Sequence, residues 1–534
     1  MQPAENYDRA DANYTAETVA ASFAGPTMST QPDQPERRGI GGWILQHPKS
    51  TIALAILLIF ALAILGLSRS AESRLAAKIA AIRAKGEPTT IQDLLARQRH
   101  LPDDKNRVVA VNRIASRFKS VTVSDERLKH LPYQGGAIQP RTGIRWPEKE
   151  IETAQWYLGQ IEHDLADLHD AMKIKDSSFC IPWTSPAFNT FPDYSAIRAG
   201  AKVLVLDAEV AAMLGDRDLA ERNLLDAFGM PRLTNGGESL ITALTQMAIN
   251  SLICDVGERI INQVGLRDTC LQSVEQSLHD ADGSIDIKMS LFVERVQFLD
   301  SLHWFRANKA SGAQFFGTTY FWQSSPVAFW PYLPALPALD IAEGLAFHTA
   351  MIDAVNGPNI ESIRSITVVE TTHGTMPWYS ILSKTMIGGY SRVVALWVHN
   401  IGQLRALRVA VAAERYRLAS GKWPNDAQSL VPQFIDAIPP DPIDRKPIRY
   451  AIIPEGIKTW TISGDADNRD NGGDVQRIEP GNNKHRPTDF GWVILNPDLR
   501  GREETPAVPS SRPTLPTTQP SRSTRLPSSE PPQN

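Results

Sequence analysis

Cysteine is scarce: the 534 residues hold three, Cys180, Cys254 and Cys270. None stands in CxxC spacing, which counts against a zinc knuckle or a thioredoxin-like centre. An odd number leaves at least one thiol outside any intrachain disulfide. A Cys254–Cys270 pair remains open. Runs of Lys or Arg are also missing and the formal net charge is -4, which argues against a nucleic-acid binder, because a phosphate-binding face normally makes a domain basic. GxxxxGK[ST], strand-linked GxGxxG, HExxH and the paired ExxH of di-iron bundles do not occur. The standard phosphate loops and two common metal sites are thereby removed. Gly389-Tyr390-Ser391-Arg392-Val393 begins like a nucleophile elbow, but it lacks the second glycine and a preceding strand.

Long apolar runs are likewise few. One stands out, TIALAILLIFALAILGL from Thr51 to Leu67, uncharged throughout and long enough to cross a hydrocarbon core of about 30 Å at about 1.5 Å per residue. Trp43, Lys49 and Arg69 flank it as interfacial anchors. The triplets around Ser68 resemble a signal-peptidase site, but the run is longer than a usual signal core and nearly fifty residues precede it, which favours an uncleaved anchor over 44–68. Basic residues stand on both sides, so the positive-inside count does not set the orientation. Residues 1–43 and the Pro/Ser/Thr-rich 499–534 bury too little apolar surface to order themselves and are expected as disordered tails, the first cytoplasmic.

Between the anchor and position 390 the pattern is helical. SRSAESRLAAKIAAIRAKGE continues out of the anchor as far as Gly86, and segments such as EKEIETAQWYLGQIEHDLADLHDAMKI and SLITALTQMAINSLICDVGERIINQV repeat apolar residues at three- and four-residue spacing. The expectation for 69–390 is an irregular α-helical array. The turn Gly215-Asp216-Arg217-Asp218, followed by Ala220, Leu224 and Ala227, resembles half of a tetratricopeptide unit, without a second copy at a fixed period. His163, Asp167 and Asp170 fall near one helical face, where a solvated polar surface is the plainer reading than a metal or acid–base site. The aromatic stretch Trp304–Tyr332 reads first as a cover over the helical core, with a ligand platform or a bilayer-facing surface as alternatives.

The carboxyl-terminal third changes character. A helix from about Trp397 carries Leu404, Leu407, Val411 and Leu418 on one face, and Ser420-Gly421 stops it. Extended, turn-rich pieces follow: IPPDPIDRKPIRYAII, KTWTIS, the acidic GDADNRDNGGD of 464–474, and FGWVIL. The order AAERYRLASGKWPNDAQSLVP, AIPPDPIDRKPIRY, WTISGDADNRDNGGD resembles the globular half of the major pseudopilin of type II secretion systems. The residues that carry the likeness are Tyr416, Gly421, Trp423, Pro424, Leu430, Val431, Pro432, Asp441, Pro442, Pro447, Tyr450, Ser463, Gly464 and Asp467. The resemblance implies a small α+β module over 391–498, a calcium-binding loop, and a location outside the cytoplasm. It covers about a hundred residues, and more than three hundred separate its helix from the membrane span, whereas in pilins the two are continuous.

Calcium takes six to eight oxygens at about 2.3–2.6 Å. Asp467 is the first expected ligand, with Asp465, Asp470 and Asp474 after it, and Gly472-Gly473 lets carbonyls turn inward. An EF-hand is excluded, because counting from Asp465 puts Asp470 where glycine is required and Gln476 where a bidentate glutamate is required. A solvated Asn/Asp/Gly turn is the alternative. The sequence therefore predicts a mainly α protein with a single transmembrane helix, a helical array and a small pseudopilin-like α+β end, sited in the cytoplasmic membrane with its carboxyl portion outside. The expected partners are the membrane and other envelope proteins, with no nucleic acid, and calcium is the expected ion. The expected role is non-catalytic interaction; a membrane-anchored hydrolase acting on an envelope polymer, or a secretion-system pseudopilin, are the alternatives.

Overall fold

A computed structural model describes residues 48–121, 126–135, 139–140, 142–184, 193–308, 330, 334–386, 388–462, 470–475 and 489–503. The expected amino-terminal tail, residues 44–47 of the anchor and positions 504–534 lie outside them. The chain divides into two units, Met1–Ala63 and Ile64–Asn534.

Helix α1, Pro48–Ala84, runs through the apolar stretch and continues for several turns beyond it. No residue of its most apolar window is buried, and Ile52, Leu57, Ile59 and Phe60 are each more than half exposed. In its carboxyl half the pattern reverses. Ala71, Leu75 and Ile82 are buried and Ile79 is partly so, a stripe at helical spacing that docks on the helical body. A second helix passes the same test of length and apolarity, Leu240–Val264, but two thirds of its window is buried inside the protein.

The fold is mainly helical. After α1 come α2 (Ile91–Leu95), α3 (Arg107–Val121), α4 (Glu148–Gln160), α5 (Glu162–Met172), α6 (Tyr194–Met213), α7 (Arg217–Gly229), α8 (Leu240–Val264), α9 (Asp268–Asp282) and α10 (Ile287–Ala307). Then come α11 (Leu336–Ala354), α12 (Ile360–His373), α13 (Ile381–Met386) and α14 (Tyr390–Ser420), followed by β1 (Arg449–Ile453), β2 (Gly456–Ile462) and β3 (Asp489–Leu495). Helices α6 and α7 form the tight hairpin anticipated around Gly215. Asp216 caps α7 by accepting from the Leu219 amide, and Ala220, Leu224 and Ala227 are fully buried.

Helix α14 is the axis of the carboxyl half, buried almost continuously from Ile401 to Glu414. Gly421 ends it in the left-handed region at φ 74°, a conformation glycine adopts at little cost. One side of α14 faces α9, where three arginines meet three acids in antiparallel order: Arg405 with Asp282 at 2.8 Å, Arg408 with Glu275 at 2.6 Å, and Arg415 with Asp268 at 2.8 Å. Its other side carries the sheet. Gly402 permits that approach, since a Cβ there would sit 2.8 Å from Thr461. The Thr459 hydroxyl donates to the Ala406 carbonyl and the Trp492 indole to the Gln403 carbonyl, in place of water.

The sheet is antiparallel in the order β1-β2-β3. An edge strand presents unpaired amides and carbonyls that must find partners when buried. Here the outer edge of β3 is covered by side chains of α8. Glu258 accepts from the Val493 amide at 2.8 Å, Asn262 accepts from the Leu495 amide at 2.7 Å, and the Asn262 amide donates to the Val493 carbonyl at 2.8 Å. A helix from the middle of the chain thus takes the place of a fourth strand.

Candidate functional site

Of the expected calcium ligands, Asp465 and Asp467 lie outside the described residues, while Asp470 and Asp474 lie within them. Asp470 is already neutralised. Its carboxylate accepts from Arg449 Nε at 2.6 Å, from the Trp460 indole at 3.0 Å and from the Gly472 amide at 3.0 Å. Burial alone would raise its pKa, but these bonds outweigh it and hold the acid below its ordinary value. Arg449 also binds Asp441 and Asp444, each at 2.6 Å. The Gly472 and Gly473 carbonyls accept from Lys458 Nζ at 2.5 and 3.2 Å.

The sequence reading did not include Asp489, the first residue of β3. Its Oδ2 accepts from the amides of Asn471 and Gly473, at 3.1 and 2.9 Å. Its Oδ1 is buried without a partner among the described residues. Burial, with the nearby Asp470 charge adding to it, outweighs the backbone amides of Gly473, Asn471 and Asp474 and pushes the carboxyl above its usual range. Among the described residues no three His, Cys, Asp or Glu side chains converge as a metal site.

The polar face around His163 is solvated. Arg117 pairs with Asp164 at 2.6 Å and lies 3.8 Å from Asp167, and Lys173 pairs with Asp170 on the surface. Its neighbour His169 turns inward and was not anticipated: Nδ1 meets Asp226 at 2.6 Å and Nε2 meets Asp207 at 3.0 Å. With both nitrogens donating to carboxylates the ring is an imidazolium. Burial opposes that charge, but the two aspartates prevail and bring the pKa up to about 9. All three cysteines are free. Of the aromatic stretch, Trp304, Phe305 and Trp330 are described and the other rings lie outside the described residues. Trp330 is fully buried, packs T-shaped with Phe305 and donates to Asp340 at 2.7 Å, in keeping with a core-cover role for this ring. Ser391 sits in the first turn of α14, where its amide donates to Glu370.

Three sizeable concavities open among the described residues, one of them, of about 510 Å³, between α1 and the end of α10 and lined by Leu75, Ile79, His303 and Arg306. A groove of about 750 Å³ opens between the ends of α9 and α11 and the start of α10, with Trp397 of α14 and Pro358 in its wall. The Trp397 ring is 6% exposed and its indole N–H has no partner among the described residues. A smaller, partly open cavity of about 330 Å³ is lined by α8, α10, α11 and α14. Leu240, Ile241, Leu244, Phe298 and Val393 give it apolar walls, and Glu294, Gln297, Ser301, His348 and Tyr390 supply the polar groups. Gly344 lets α11 close on Phe298, because a Cβ there would stand 2.1 Å from the ring.

Inside this cavity His348 Nδ1 donates to the Gly344 carbonyl at 2.9 Å, which leaves Nε2 to accept from the Tyr390 hydroxyl at 3.2 Å. Burial holds the His348 pKa down at about 4, so the ring is neutral, and burial also pushes the Tyr390 phenol up. Glu294 is the acid of the wall. Burial brings its carboxyl up to about 7, offset in part by a hydrogen bond from the Leu240 amide. These groups sit some fifty residues apart along the chain, and nothing local in the sequence marks their meeting.

Comparison with protein-family models, with curated proteins and with solved structures gives no match to this chain.

Proposed function

We propose that the chain is a single-pass protein of the cytoplasmic membrane, anchored by 44–68, whose exported helical body works by binding other envelope components. The observation that carries this reading is the reversal along α1, with no buried residue in its apolar window and a stripe of buried residues from Ala71 on. A helix of that kind suits lipid at one end and a protein core at the other. The second apolar helix, α8, supports a single span. It carries Glu258, Arg259 and Asn262 buried, and ion-paired or hydrogen-bonded groups of this kind suit a core helix better than a lipid-facing one. Deleting 44–68 is expected to move the protein from the membrane fraction to the soluble fraction without loss of helical content. A variant that stays with the membrane counts against the anchor.

Interaction is favoured over catalysis by the groove beside Trp397 and by the state of the smaller cavity, where His348 has both nitrogens committed. The hydrolase reading retains one observation, the near-neutral carboxyl of Glu294. The pseudopilin reading requires cleavage near Gly42-Trp43, which the mass of the mature amino terminus decides.

Calcium is the ion this reading assigns to the acidic segment, with Asp467 as first ligand and Asp465 and Asp474 beside it. Asp470, held by Arg449, ranks last. The orphaned Oδ1 of Asp489 supports a cation nearby, as a buried carboxylate oxygen without a donor is costly. The ion would fix the strand-to-strand segment. The detergent-solubilised chain is expected to melt several degrees higher in calcium than in chelator, with the difference lost in Asp467→Ala and Asp489→Ala. Identical melting under both conditions removes calcium from the account.

A further inference from the structure

The cavity between α8, α10, α11 and α14 has no part in anchoring or in the acidic segment, yet it has the make-up of a ligand site. Its volume of about 330 Å³ lies at the lower end of the range of small-molecule pockets, about 300–1,000 Å³, and equals roughly eleven waters at about 30 Å³ each. A purely apolar void would need no polar lining. Here the Ser301 side chain is 2% exposed, and its Oγ has no partner among the described residues. A buried hydroxyl left in that condition is costly unless something else meets it.

The chemistry of the lining narrows what that is. Among the described lining residues there is one acid, Glu294, and no Lys or Arg. His348 brings no charge and no free donor, since Nδ1–H is spent on Gly344 and Nε2 receives Tyr390. The side-chain oxygens that remain are those of Glu294, Gln297, Ser301 and Tyr390, four acceptors that a group with several N–H bonds can satisfy together. The Phe298 and Tyr390 side chains add aromatic lining, and Leu240, Ile241, Leu244 and Val393 favour a hydrocarbon body. A carboxylate or phosphate would find no cation to pair with.

We propose that this cavity binds a small amphiphilic amine, with its ammonium group against Glu294 and Ser301 and its apolar part against Phe298 and the α8 side chains. Glu294 confers the preference for charge, and Ser301 positions the amine. A second, much smaller pocket behind the same Glu294 and Gln297, of about 10 Å³, has room for no more than about one water, so the ligand lies on the α14 side.

The test is calorimetric titration of the detergent-solubilised full chain with phenethylamine, n-octylamine, 2-phenylethanol and phenylacetate. Saturable binding of at least one amine is expected, with 2-phenylethanol weaker by about tenfold or more and phenylacetate without effect, as charge-assisted hydrogen bonds imply. Glu294→Gln should reduce amine affinity by about tenfold or more while leaving 2-phenylethanol unchanged, and Leu244→Trp, which fills the space, should abolish both. Thermal melts of each variant establish that it is folded. Equal affinity for amine and alcohol, full amine affinity in folded Glu294→Gln, or no binding of either amine at millimolar concentration overturns the proposal.

Discussion

His169 shows how one side chain acquires a structural charge. Its imidazolium is held between Asp207 and Asp226, and Asp207 also accepts from Asn223 at 2.6 Å. The pKa is about 9 in the fold against about 6.5 in an unfolded chain. A raised folded pKa stabilises fully below the unfolded value, and the contribution disappears as pH climbs through the folded one. His169→Asn is therefore expected to lower stability by up to about 3 kcal/mol at pH 6, with the gap to the parent closing by pH 9.5. Urea midpoints of both proteins at the two pH values check this; a pH-independent gap contradicts it. The polar face on which the sequence placed His163, Asp167 and Asp170 was legible because helical spacing is local. The turn of His169 toward Asp207 and Asp226 was not, because its partners lie 38 and 57 residues further on. Glu294, Ser301, His348 and Tyr390 escaped notice for the same reason. Each is ordinary in its own helix, and only packing brings them to one cavity.

Among the elements, those fixed by local composition were readable and those fixed by pairing were not. The apolar run of α1, the Gly215 hairpin, the Gly421 stop and the order of helix and strands after it all follow from neighbouring residues. The antiparallel ladder between α9 and α14 does not, since Arg405 and its fellows read simply as polar positions on an amphipathic helix. Arg408 is 7% exposed and Glu275 8% exposed, so this pair belongs to the interior, with Asp436 as a second and more exposed partner at 2.6 Å. Removing one member strands a buried charge, whereas replacing both with apolar residues of similar volume is often close to neutral. Arg408→Ala is expected to cost about 3–5 kcal/mol, and Arg408→Met combined with Glu275→Leu to recover most of it. Equilibrium unfolding of the three proteins gives the comparison, and a double variant as weak as the single one contradicts the ladder as a desolvated pair.

On the scale of the molecule, the described residues from Ile64 onward form one compact unit in which the carboxyl helix and sheet lean on the middle of the chain. Glu258 and Asn262 complete the β3 edge, α9 covers the charged face of α14, and Arg500 returns to pair with the fully buried Glu414 at 2.7 Å. The segment 391–503 expressed alone would expose that edge and leave Arg405, Arg408 and Arg415 without their α9 acids. It is expected to show no cooperative unfolding, whereas 64–503 does, as followed by near-ultraviolet circular dichroism; a cooperative transition in the short fragment counts against this dependence. The central claim concerns which side of the membrane this unit occupies. Alkaline phosphatase, active only outside the cytoplasm, fused separately at residue 30 and after residue 500 of the full chain, tests it most directly. The account predicts an inactive amino-terminal fusion and an active carboxyl-terminal one, and the reverse pattern, or equal activity at both ends, would contradict it.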